Sequence, residues 1–125
     1  MRTKQIFLIV ASVGLFPIAL SYGLAPESSL EYLFEISVTD TNAVHIYRAI
    51  MGLYFAMIIF WALGAFRSHL TRPAIYSLVV FMLGLAGGRG LSLIIDGQPS
   101  TLLILYLLAE LVFGIIGIVL LRENE

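Results

Sequence analysis

Three ionisable residues, Arg48, Arg89 and Glu110, sit inside long apolar stretches, and His45 and Asp96 stand at the edges of two of them. An ionised group in hydrocarbon is costly unless it pairs with another or reaches water, so these positions are where function is to be sought. Helical spacing groups them into stripes. Asn42, His45, Arg48 or Ala49, Gly52 and Ala56 share one face; Arg89, Ser92 and Asp96 share a second, beside the pair Gly84 and Gly88; Tyr106, Glu110, Gly114 and Gly117 share a third. Each stripe joins polar groups to small residues, which predicts that all three faces point into a common interior.

Two guanidinium groups against one carboxylate leave positive potential, and helix N-termini at the same level add to it. The chemistry this suits is retention of an anionic or carbonyl-bearing small molecule, such as a lipid headgroup or a quinone-like compound. Two other readings stand beside it: an ion-pair network that only fixes helix register, and a proton or ion path through Glu110. No nucleophile with an adjacent base, no phosphate-cradling glycine loop and no metal-ligand spacing is present, so the pattern leans away from an enzyme, and neither cofactor nor metal is expected. Cysteine is lacking altogether, which excludes disulfides, thiolate metal sites and covalent c-type haem. His45 and His69 fall at opposite membrane faces, so they cannot ligate one haem within a monomer.

The elements that must position these groups follow from composition. The chain has 125 residues, 60% apolar and 12% charged, with a mean hydropathy of +1.00. A water-soluble domain carries about a quarter charged residues. The apolar residues form long runs, which excludes a porin-type barrel. A net charge of −1 offers no basic field for nucleic acid. The expected fold is all-α: a single polytopic membrane domain over residues 1–125, an antiparallel four-transmembrane-helix bundle with spans at about 6–25, 43–66, 73–95 and 101–121. The uncharged run Gln5–Pro26 reads as a span and not a cleaved signal, because the small-residue site Gly23-Leu24-Ala25 is followed by Pro26. Pro73 suits a helix start, Asp96-Gly97-Gln98-Pro99 a turn, and Ser100 an N-cap. Between the first two spans, Leu30, Leu33, Phe34 and Ile36 fall on one face with Glu27, Glu31 and Glu35 on the other, a short amphipathic helix in the first external loop, acting as a lid or a docking surface.

Lys and Arg are retained on the cytoplasmic side during insertion. With both termini inside, the cytoplasmic segments hold Arg2, Lys4, Arg67, Arg72 and Arg122, and the external loops hold none. Depths then become comparable. At ~1.5 Å per residue, Arg48 lies ~9 Å inside Asn42, Arg89 ~10 Å inside Asp96 and Glu110 ~15 Å inside Ser100, so Glu110 is within reach of either arginine.

The stretches Thr41-Asn42-Ala43-Val44-His45-Ile46-Tyr47-Arg48-Ala49-Ile50-Met51-Gly52-Leu53-Tyr54 and Gly88-Arg89-Gly90-Leu91-Ser92-Leu93-Ile94-Ile95-Asp96-Gly97-Gln98-Pro99 resemble the two signature segments of a bacterial domain-of-unknown-function family of small four-span inner-membrane proteins. The layout is broadly similar to that of DoxX-like proteins. The resemblance implies a bacterial inner membrane, both termini cytoplasmic, and no catalytic role; it adds Tyr54 to His45, Arg48, Arg89, Ser92 and Asp96 as matching positions. The sequence therefore predicts a non-enzymatic binding or accessory protein whose outer-half cluster of Arg48, Arg89, Glu110, His45, Ser92, Asp96, Tyr54 and Tyr106 holds an anionic lipid or small molecule. A structural subunit of a complex, a homo-oligomer, or a small transporter with Glu110 in its path are the alternatives.

Overall fold

The computed structural model describes residues 2–123. It is an all-helical bundle of α1 (Thr3–Gly23), α2 (Pro26–Phe34), α3 (Thr41–Phe66), α4 (Ser68–Ile95) and α5 (Thr101–Arg122). All but α2 are long and apolar enough to cross a membrane, which makes the chain a multi-pass membrane protein. Neighbours pack in the order α1 on α3, α3 on α4 and α4 on α5, with α1 and α5 meeting only lightly. The core lies in the half of the bundle nearer the termini, where Leu8, Ala11 and Leu15 of α1, Trp61 of α3, Ile75 and Leu78 of α4, and Leu120 of α5 are buried together. Apolar burial drives little association in lipid, so close approach and hydrogen bonds carry the packing. The fully buried Trp61 donates its indole N–H to Ser77 Oγ at 3.1 Å, and Ser77 donates in turn to the Ala74 carbonyl at 2.7 Å.

Helix ends differ from expectation at one connection. The third span does not begin at Pro73: α4 starts at Ser68, Pro73 lies inside it, and Arg67 alone separates α3 from α4. Thr71 Oγ1 donates to the Gly64 carbonyl at 2.6 Å and ties the two helices across the reversal. A proline inside a membrane helix is tolerated when neighbouring groups take up the backbone it disturbs. At the other end of the bundle Asp40 caps α3, accepting from the Ala43 N–H at 3.2 Å. Gly97 turns the chain between α4 and α5 with φ of 100°.

The amphipathic segment forms α2, started by Pro26 and stopped by Glu35, whose φ of 58° is left-handed. The Glu35 N–H then reaches the Glu31 carbonyl at 3.0 Å, the bond of an αL cap, and the Ile36 N–H the Leu30 carbonyl at 3.2 Å. Glu35 is thus the cap and not a third member of the acidic helix face. Leu30, Phe34 and Val38 are buried against Tyr22, Tyr47, Leu102 and Tyr106, so α2 lies across the mouth of the bundle.

Candidate functional site

The antiparallel pairing of α4 and α5 sets the site. Gly117 faces Val79, Gly114 faces Leu83, and one further step toward α2 Glu110 faces Arg89. A Cβ on Gly114 would lie 2.5 Å from Leu83 Cδ2, and one on Gly117 2.5 Å from Val79 Cγ2, so these glycines are what lets α5 approach. At that separation Arg89 Nε donates to both carboxylate oxygens of Glu110, at 3.0 and 3.1 Å. Glu110 is buried, 7% exposed, and Arg89 is half-buried. The guanidinium carbon lies 5.6 Å from the centroid of Tyr106, a cation–π contact.

Aromatic rings surround the pair. Tyr22 of α1 meets Tyr54 edge-on at 5.5 Å and stacks with Phe34 at 6.2 Å, while Phe34 meets Tyr106 edge-on at 6.1 Å. The Tyr22 hydroxyl lies close enough to Arg89 and to the Tyr54 hydroxyl to interact with both. Below this layer a cleft of about 140 Å³ runs between α1 and α5, lined by Ala11, Gly14 and Ile18 on one wall and by Tyr106, Ala109 and Phe113 on the other. Its floor is Arg89, Glu110, Tyr54 and Met82. Gly14 and Ala109, at the lip, are exposed on the bundle's flank, where acyl chains would lie. The cleft is therefore apolar along its length and polar at one place.

The structure brings four of the sequence-predicted residues together: Arg89, Glu110, Tyr54 and Tyr106. Of the other four, Ser92 lines a neighbouring groove with Arg89 and Tyr54, and the remaining three lie elsewhere. Arg48 is exposed and donates through Nη1 to the Gly23 carbonyl at 2.8 Å and the Leu24 carbonyl at 3.4 Å, so it caps the C-terminus of α1. Shared depth does not imply shared azimuth, and a long side chain about two turns from its helix start finds the free carbonyls at the end of α1 nearer than a carboxylate. His45 stands beside it, exposed, in a shallow groove with Glu27, Thr39, Asp40 and Thr41. Ser92 donates to Asp96 at 2.7 Å at the exposed end of α4. The predicted inward face of α3 is also overturned: Asn42, His45, Arg48, Ala49, Gly52 and Ala56 are all exposed, and no atom lies within 4 Å of a Cβ placed on Gly52. What buries instead on α3 is Tyr54, Trp61, Gly64 and Ala65.

Sequence reasoning passed over Tyr22, Ala11, Gly14, Ala109 and Phe113. A signal existed for some of them. Ala11, Gly14 and Ile18 recur at helical spacing on α1, as do Tyr106, Glu110 and Phe113 on α5. Lys4, read only as a topology charge, is 2% exposed and donates to the Glu123 carbonyl at 3.3 Å, linking the two ends of the chain. Among the described residues no group of His, Asp and Glu could hold a metal ion.

A family model described as Domain of unknown function (DUF4345) matches residues 3–121, so the chain belongs to that family. No curated protein and no solved structure matches it.

Proposed function

We propose that this DUF4345 protein is a non-enzymatic binding or accessory protein of the bacterial inner membrane, with both termini cytoplasmic, that holds the polar end of a membrane amphiphile at Arg89 and Glu110. One observation carries the reading: the hydrogen-bonded pair forms the floor of a cleft whose lip, at Gly14 and Ala109, opens sideways on the bundle. A pair that served packing alone needs no passage to the flank. Tyr54 and Tyr106 supply hydroxyls and ring faces at the polar place, and the apolar walls suit a chain. Arg2, Lys4, Arg67, Arg72 and Arg122 all belong to the end of the bundle that carries the termini, which supports the orientation.

The test is native mass spectrometry after extraction in mild detergent. The wild-type protein is expected to carry a bound amphiphile, and Gly14→Leu, which fills the lip from an exposed position, is expected to lose it with unchanged thermal unfolding. Retention of the bound mass in a folded Gly14→Leu protein would exclude the cleft as the site.

A second reading, assembly into a homo-oligomer or a larger complex, is favoured by the flank of α4. A Cβ on Gly84 or Gly88 meets nothing within 4 Å, so this close-packing pair is not used inside the chain. Because the protein lacks cysteine, Gly88→Cys places a single thiol on that face. Oxidation in native membranes is expected to yield a disulfide-linked dimer if two copies meet there, and monomer alone would dismiss the face as a contact between copies.

A further inference from the structure

The polar floor of the cleft is electrically balanced. The expectation of an anion rested on two arginines opposed by one carboxylate, and Arg48 is engaged with the end of α1 instead. What remains is one guanidinium bonded through Nε to both oxygens of one carboxylate. An anion arriving there would bring a second negative charge beside a guanidinium that Glu110 already balances, leaving one buried charge uncompensated, which is costly. A cation would face the same difficulty with Arg89. An uncharged group meets no such penalty, because a guanidinium has five N–H donors, of which Nε goes to Glu110 and the Tyr22 hydroxyl engages part of the rest. A carbonyl or hydroxyl oxygen can accept from the donors that remain.

Size and shape narrow the class further. The cleft holds about 140 Å³, and an apolar protein cavity of about 150 Å³ accommodates one benzene molecule. A phosphate with its glycerol and ester groups is larger than one such ring. The wall on α1 is aliphatic, with Leu15 and Ile18 beside the small Ala11 and Gly14, while the wall on α5 presents Tyr106 and Phe113, so the space between is a slot with one aromatic side. From the lip a chain continues over exposed Val10 and Val13 on α1 and Leu105 and Val112 on α5.

We infer that the cleft takes an uncharged six-membered ring bearing carbonyl or hydroxyl oxygen, attached to an alkyl or prenyl chain that lies along the bundle's flank. The inference rests on the reading of the cleft as the binding site and specifies its head group. Arg89 donates to the ring oxygen, Tyr106 and Phe113 face the ring, and Glu110 holds the guanidinium in place. No bond is made or broken.

Equilibrium binding to the purified protein in phosphatidylcholine nanodiscs tests it with two probes of equal chain length, decyl-1,4-benzoquinone and decyl phosphate. The quinone is expected to bind saturably at one per chain and at least about tenfold more tightly than the phosphate. Ala109→Phe, which closes the lip from an exposed position, is expected to weaken quinone binding at least about tenfold without changing thermal unfolding. If decyl phosphate binds as tightly or more tightly and Ala109→Phe weakens it, the head-group inference falls and the cleft stands. If neither probe responds to Ala109→Phe, the cleft itself falls.

Discussion

Arg89→Met is expected to destabilise the protein by about 3–5 kcal/mol, read from unfolding in mixed micelles, because it strands a buried carboxylate. Glu110 is 7% exposed and both its oxygens accept from Arg89 Nε, so removing that donor leaves both without their protein partner. The double variant Arg89→Met with Glu110→Leu is expected to recover most of that loss, since replacing both members of a buried pair by apolar groups removes the desolvation cost along with the attraction. The double-mutant cycle should therefore return a coupling of at least about 1 kcal/mol, as groups in direct contact do. Equal stability of Arg89→Met and wild type would mean that the carboxylate is solvated or protonated at no cost. The double variant also separates structure from function. It is expected to fold, yet its floor lacks the ion pair, so bound amphiphile is expected to vanish from a well-folded protein. A role limited to fixing helix register predicts instead that restored stability restores everything.

The Arg89–Glu110 contact was readable from arithmetic alone. Both residues lie on faces with small neighbours, at depths that differ by less than an arginine side chain, and α4 and α5 are joined by a turn too short for anything but an antiparallel pair. Arg48 satisfied the same depth criterion and failed, because rise per residue fixes height in the membrane and not direction around the helix. The stripe on α3 misled for a related reason. Small residues mark close approach, and on α3 they were assumed to face inward; the inward face carries Tyr54 and Trp61, with Gly52 open. In lipid both faces of a span are apolar, so the contrast that orients a helix in a soluble bundle is nearly absent. The amphipathic α2 kept that contrast, since it lies across the bundle end with Leu30 and Phe34 beneath it, and its placement was legible for that reason. The cleft was not legible, because it depends on how lightly α1 and α5 meet, which no local pattern records.

Gly64 is where a single methyl group should do the most damage to the bundle. A Cβ there would collide with Ala74 Cβ, and would lie 3.1 Å from the Leu70 carbonyl oxygen and 3.3 Å from Leu8 Cδ1. Two of those atoms belong to the first turns of α4, directly after the reversal where Arg67 is the sole connecting residue and Thr71 bonds the Gly64 carbonyl, so the backbone has little freedom to yield. Gly64→Ala is expected to cost about 1–3 kcal/mol and Gly64→Leu at least that, by overpacking. Gly52→Leu and Gly88→Leu, on faces with nothing within 4 Å, are expected to stay within about 0.5 kcal/mol of wild type. Equal losses at buried and open glycines would show that intrinsic helix preference, and not steric approach, governs these positions. The effect should also reach the cleft. Tyr54, on its floor, lies ten residues along α3 from Gly64, about 15 Å by helical rise. Prising α3 from α4 at the tight turn swings that distant end of α3. Loss of amphiphile in Gly64→Leu at temperatures well below its unfolding is therefore expected, although the substituted residue touches no part of the cleft.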